Sequence, residues 1–310
     1  MAMQLVVLGM RSGSSVLTRL VNMSGASVGP REELMKANAQ NPKGFWEDER
    51  VVALNNALLK AQGCGWNQVG KLTPEAITPE AFPAEAERAR GIIRDLDVSR
   101  PWVLKDPRMC LLLPFWKPLL AAPVFVIIHR APLEVAHSLR THHEMPLACG
   151  LALWDYYMRT ILRHTSGQRR ALVSYGGLMA DPVGVMAGLL ERLRGWGVQG
   201  LGMPETGAIT EFVDPALYRE KVADPTEMSL VTGDQRDLHQ AIEDGGVLGW
   251  SDVPPPSFHT LELLRVNDEL QFRRWNEKVL RRRVEETKRA CEAKIAELEA
   301  SLARLSGAGQ

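Results

Sequence analysis

The chain has 310 residues, 45% hydrophobic and 24% charged, which suits a soluble globular enzyme of one large α/β domain with additions. Its 37 basic and 37 acidic residues cancel to a formal net charge of +0, so no global field draws it to nucleic acid or to an anionic membrane, and any anion site must be built locally. No run of 18 apolar residues and no signal-peptide pattern occurs. Cys64, Cys110, Cys149 and Cys291 form no CxxC pair, so we expect no membrane span, no zinc knuckle, no disulfide framework and a cytoplasmic location.

Gln4 to Leu8 is a short apolar run ending at Gly9, which predicts a first strand. Ser14 to Met23 follows with Val16, Leu17, Leu20 and Val21 at helical spacing. Asp48 to Ala61 is the next helix, striped by Val51, Val52, Leu54, Leu58 and Leu59, with Asp48 as its cap. A polar-faced helix is expected over Pro83 to Leu96. Trp102 to Leu104 and Val124 to Ile128 read as strands, ending in Lys105-Asp106-Pro107-Arg108 and His129-Arg130. Pro132 opens a helix, Ala171 to Ser174 is a strand, and Asp181-Pro182 opens a helix through Arg194. Apolar strands alternating with amphipathic helices predict an α/β, three-layer fold with a central parallel sheet flanked by helices. Three polar clusters, RSGSS, KDPR and HRAP, each follow an apolar strand, which places them together at the carboxyl edge where such sheets bind ligands.

Residues 1–257 read as the main domain. Within it, 195–257 is rich in Gly, Pro and Asp and is expected to be irregular and lid-like. Residues 258–310 read as a long charged helical extension. Val284, Cys291, Leu298 and Leu305 recur every seven residues, with Ile295 and Leu302 between them, a coiled-coil seam suited to a homo-oligomer.

The loop Arg11-Ser12-Gly13-Ser14-Ser15 is placed like a phosphate loop, but Ser14 stands where a Walker loop has Lys, and the basic residue precedes the glycine. Free N–H groups at the start of the Ser14 helix and the helix dipole favour an anion there, and Arg11 adds a fixed charge. This order resembles the 5′-phosphosulfate loop of sulfotransferases that use 3′-phosphoadenosine 5′-phosphosulfate (PAPS), whose fold is P-loop-like. Arg130-Ala131-Pro132 with Ser138 resembles that family's 3′-phosphate motif, about 115 residues after the loop. Asn41-Pro42-Lys43-Gly44-Phe45-Trp46-Glu47 and Trp102-Val103-Leu104-Lys105-Asp106-Pro107-Arg108 resemble signatures of a bacterial-type branch. The resemblance spans about residues 4 to 220. It departs at Tyr175-Gly176-Gly177-Leu178, where Tyr-Glu-Asp-Leu is more usual.

The resemblance implies sulfuryl transfer from PAPS to a hydroxyl acceptor, a saccharide or saccharide-bearing metabolite, by in-line displacement without a metal. It implies that Arg11, Ser12, Gly13, Ser14 and Ser15 bind the phosphosulfate, that Arg130 and Ser138 grip the 3′-phosphate, and that Arg219 lies near the nucleotide. Glu47 is the expected general base, with Glu33 and Glu32 as rivals. Lys105 or Arg11 is expected at the bridging oxygen or the sulfuryl group. An ion pair with Asp106 or a neighbouring acid is the bland alternative for Lys105. Glu33, Arg108 and His142 are expected on the acceptor side. Thr141-His142-His143-Glu144 is not a metal motif, since Leu147 stands where HExxH needs its last His and Pro146 interrupts the helix, so both histidines read as exposed. Trp154, Tyr156 and Tyr157 read as core before acceptor groove. Two other readings stay open: a non-catalytic nucleotide-binding scaffold, and a P-loop-type kinase, which the missing Gly-Lys-Ser/Thr disfavours.

Overall fold

The computed structural model describes residues 4–37, 43–214 and 225–307. Its sheet has four parallel strands, β1 (Gln4–Leu8), β2 (Trp102–Lys105), β3 (Pro123–His129) and β4 (Arg170–Ser174), in the order β2-β1-β3-β4. The described helices are α1 (Ser14–Met23), α2 (Glu49–Ala61), α3 (Pro83–Asp97), α4 (Leu113–Trp116), α5 (Pro132–His143) and α6 (Leu147–His164), then α7 (Tyr175–Ala180), α8 (Pro182–Gly195), α9 (Thr206–Phe212), α10 (Pro225–Met228), α11 (Gly233–Glu243) and α12 (Phe258–Gly307).

Successive strand residues point to opposite faces, and both faces are covered. Val6, Leu8, Leu104, Phe125 and Ile127 join one core with α2, α3 and α6. Leu5, Val7, Val103, Val124, Val126 and Ile128 join the other with α1 and α8. These two cores make the three-layer α/β fold. The register sets Val7 opposite Lys105, Leu8 opposite Ile127 and His129 opposite Ser174, which levels the carboxyl ends of the strands. The chain leaves β1 for β2 on one side and β3 for β4 on the other. The crevice between the ends of β1 and β3 is therefore the topological switch point where open parallel sheets bind ligands.

Local signals set the helix starts. Asp48 caps α2 by accepting from the Arg50 N–H at 2.8 Å, Pro132 opens α5, and Asp181 with Pro182 opens α8. The described residues of 195–257 hold three α-helices, α9, α10 and α11, where composition predicts irregular chain. Of these, α11 begins with a capping box in which Thr232 and Gln235 bond reciprocally to each other's backbone. Leu238, Ile242, Val247 and Val253 are buried in the core shared with α2 and α6. Buried Arg170 donates to the carbonyls of Val247 at 2.7 Å and Leu248 at 3.2 Å, holding the following turn. The apolar stripe of α11 is short and its flanks are polar, so composition concealed it.

The first turns of α12 pack on the body. Leu264 and Asn267 are fully buried, and Asn267 Nδ2 donates to the Asn67 carbonyl at 2.6 Å. Farther out Val284, Cys291, Ile295, Leu298 and Leu302 face solvent, so the expected seam is exposed; the side chain of Leu305 lies outside the described residues. Trp154, Tyr156 and Tyr157 are buried, their polar tips donating to the carbonyls of Arg130, Leu72 and Trp66. Among the described residues no helix is long and apolar enough to cross a membrane.

Candidate functional site

The loop after β1 turns sharply because two of its residues are left-handed, Arg11 at φ 53° and Gly13 at φ 85°. Gly13 is required there on a second count: a Cβ would lie 2.4 Å from Tyr175 Cδ2, so the first residue of α7 closes the loop from the β4 side. No side chain caps α1, which leaves its first-turn N–H groups to an anion. Ser12 Oγ is buried without a hydrogen-bond partner. Arg11 donates from Nε and Nη2 to Ser138 Oγ, at 3.1 and 2.8 Å, joining residues 127 positions apart. Arg130 is buried, donates from Nε to Glu134 at 2.9 Å, and lies 4.8 Å over the Tyr175 ring. The resemblance implied that Arg130 and Ser138 grip one phosphate together. Here Ser138 holds Arg11, and Arg130 is held by Glu134 and Tyr175.

Lys105, the last residue of β2, is the centre of the site. Its Nζ donates to Ser15 Oγ at 3.0 Å, to the Phe45 carbonyl at 3.3 Å and to Glu47 Oε1. Glu47 is brought there by a turn through Gly44 at φ 90° and Trp46 at φ 57°, a left-handed conformation that strains an aromatic residue. The Met35 N–H then fixes the Glu47 carbonyl at 2.8 Å. Burial pushes the Glu47 carboxyl above the ordinary carboxylate range, while Lys105 pulls the other way. Arg108 Nη1 lies 3.8 Å from Glu47 Oε2 and 2.8 Å from Asp106 Oδ1. Asp106 in turn accepts from Asn55 at 3.0 Å, and Asn55 accepts from Trp116 at 2.7 Å. The ion pair considered for Lys105 therefore exists, with Glu47 as its partner.

A cleft of about 620 Å³ opens beside this turn, lined by Leu34, Met35, Trp46, Arg19, Arg31 and Lys36 among others. Arg19 stacks 4.6 Å from the Trp46 ring centroid, its pKa lowered by burial and by neighbouring Arg31. Glu33 is drawn elsewhere. It lies 3.8 Å from Arg50, which also binds Asp48 and Asp95 at 2.7 Å, and Glu32 is exposed. His142 is exposed as expected, but His143 is not. The His143 ring meets Trp66 edge-on at 4.8 Å, and burial, with Arg11 nearby, depresses it to about 4. The missed signal was spacing, since Ala136, Leu139 and His143 share one helical face. Tyr175 was also missed; only the fold brings it to Gly13. Arg219, Asn41 and Pro42 lie outside the described residues.

No protein-family model matches this chain, and no curated protein does. Among solved structures, the sulfotransferase domain of the Synechococcus PCC 7002 olefin synthase is similar over 85% of this chain and 93% of its own, at 20% identity and a TM-score of 0.38. The sulfotransferase domain from the curacin biosynthetic pathway is similar over 84% of this chain and 95% of its own, at 15% identity and a TM-score of 0.42.

Proposed function

We propose that this chain is a sulfotransferase that moves a sulfuryl group from PAPS to a hydroxyl of a saccharide or saccharide-bearing metabolite. The observation that carries the proposal is the position of Lys105, whose one ammonium joins Ser15 of the anion loop to the buried carboxylate of Glu47. In-line transfer needs an anion cradle, a cation at the oxygen that departs and a base at the acceptor hydroxyl, and here Lys105 lies within hydrogen-bond reach of both the loop and Glu47.

The loop suits a phosphosulfate. Ser12 carries a buried hydroxyl without a partner, Gly13 leaves no room for a Cβ, and the first turn of α1 is uncapped. Bound there, PAPS supplies the sulfuryl group. Arg11 and the α1 N-terminus hold negative charge, and Lys105 offsets the charge that builds on the departing oxygen. Glu47 receives the acceptor proton, and burial makes its carboxylate a stronger base than an exposed one. The acceptor enters by the cleft at Trp46, whose ring offers a face to a sugar and whose rim carries Arg19, Arg31 and Lys36.

Calorimetric titration with adenosine 3′,5′-bisphosphate, beside ATP with magnesium, tests the donor site. Wild type binds the bisphosphate and Arg130→Ala loses it. Glu47→Gln keeps bisphosphate affinity and loses roughly 10²–10⁴-fold in transfer to an accepted hydroxyl. Binding of magnesium-ATP alone overturns the proposal.

A further inference from the structure

A second cluster lies one residue before Arg130, and the proposed reaction uses none of it. His129 ends β3 with its side chain only 4% exposed. His239 and Glu243, four apart on α11, come from the segment whose packing the sequence concealed. Glu243 Oε1 is 3.2 Å from His129 Nδ1 and 3.4 Å from His239 Nε2. All three atoms lie within 4.8 Å of one another. Neither ring nitrogen has the alignment of a hydrogen bond, so His129 Nδ1 is a buried polar atom without a partner.

These spacings have a simple meaning. Ligands held ~2.0–2.1 Å from a tetrahedral zinc stand ~3.3–3.4 Å apart, close to both measured edges of the cluster. Glu243 Oε1 lies between the two ring nitrogens without an aligned hydrogen bond to either; a cation at the common point takes all three atoms as ligands. We propose that His129, His239 and Glu243 form a binding site for zinc or a similar divalent transition-metal ion, with the fourth position open to water. Two imidazoles and one carboxylate favour zinc or cobalt over magnesium or calcium, which take oxygen donors. Glu243 is 39% exposed, which gives the ion a way in, and the Trp154 ring stands edge-on to His239 at 6.1 Å on the other side. The site ties α11 to the strand that bears Arg130. No local motif marks the site in the sequence, because His129 and its α11 partners are about 110 positions apart. The site stands apart from the sulfuryl-transfer reading.

The test uses untagged full-length protein, stripped with chelator, then titrated with zinc by calorimetry and with cobalt by visible absorption. Wild type takes up one equivalent, develops the intense bands of four-coordinate cobalt, and melts at a higher temperature with zinc than without. His239→Ala and Glu243→Ala each weaken zinc binding at least tenfold and abolish the thermal shift, while their metal-free circular dichroism stays that of wild type. His259→Ala, at an exposed histidine, leaves zinc binding unchanged. Wild type that binds no stoichiometric metal, or binding that both α11 variants retain, overturns the proposal.

Discussion

Replacing Lys105 with Met severs the ion pair at the centre of the site, and its cost follows from what each partner keeps. The side chains of Lys105 and Glu47 are 3% and 6% exposed, so the survivor is stranded in a poorly solvating interior. Loss of one member of such a pair costs ~3–5 kcal/mol. In Lys105→Met, Glu47 keeps only Arg108 at 3.8 Å, a guanidinium already engaged by Asp106 at 2.8 Å, so the full ~3–5 kcal/mol is expected. In Glu47→Gln, Lys105 keeps Ser15 at 3.0 Å and the Phe45 carbonyl at 3.3 Å, and the new amide oxygen still accepts. That variant should lose only about 1–3 kcal/mol. Combining the two removes the stranded carboxylate, so the double variant should be more stable than the sum of the singles implies, by ~1–3 kcal/mol. Urea denaturation at neutral pH, with slopes checked for constancy, measures all four proteins. A Glu47→Gln loss larger than that of Lys105→Met, or strict additivity, refutes the reasoning. The pH dependence has a definite sign. Without Lys105 the Glu47 carboxyl moves further up, so the folded state holds a proton that the unfolded state has released. Stability of Lys105→Met therefore falls as pH rises through that raised pKa and returns on acidification.

Gly13→Ala combines a left-handed backbone, worth ~1–2 kcal/mol, with a contact against Tyr175 worth a further ~1–3 kcal/mol. A thermal melt indistinguishable from wild type would mean that Tyr175 does not lock the loop. Burial raises the Asp268 carboxyl to about 6, against ~3.9 in an unfolded chain, so its contribution is full at low pH and is lost as pH rises between those values. Asp268→Asn should flatten the urea midpoint across that window, and an unchanged profile sinks the assignment. Deleting 276–310 removes the exposed apolar stripe of α12. Sedimentation should then show a smaller assembly with bisphosphate affinity retained, and an unchanged oligomeric mass counts against a pairing seam.

The sheet and most of its flanking helices were legible because each strand is a short apolar run ended by a polar cluster, and those helices carry a cap, a proline start or a stripe; α6 shows neither cap nor stripe, since it is buried nearly all round. Asp48, Pro132 and Asp181 marked helix starts that the structure keeps within a residue. That Arg11, Lys105 and Arg130 come together at the carboxyl edge of the sheet was legible too, since Arg11 and Arg130 follow strands and Lys105 ends one. Their pairings were not. Arg11 with Ser138 and Lys105 with Glu47 join positions 127 and 58 apart, and no local period encodes such distances. Within 195–257 a signal existed, Thr232 three residues before Gln235, but surrounding Gly, Pro and Asp outweighed it. His143 turns inward to Trp66 because it shares a helical face with Ala136 and Leu139, which its neighbour His142 does not.

The outer half of α12 has a consequence of scale. At 1.5 Å per residue, residues 276–307 reach roughly 50 Å beyond the turns that pack on the body. On the proposed function, whatever grips the far end holds the base of the helix, and with it the body, within about that radius. One acceptor held at the same anchor then sits at an effective concentration of roughly 3 mM. On that reading an acceptor with a Kd below roughly 3 mM would saturate the cleft, so the helix would set substrate choice by distance as much as the cleft does by contact.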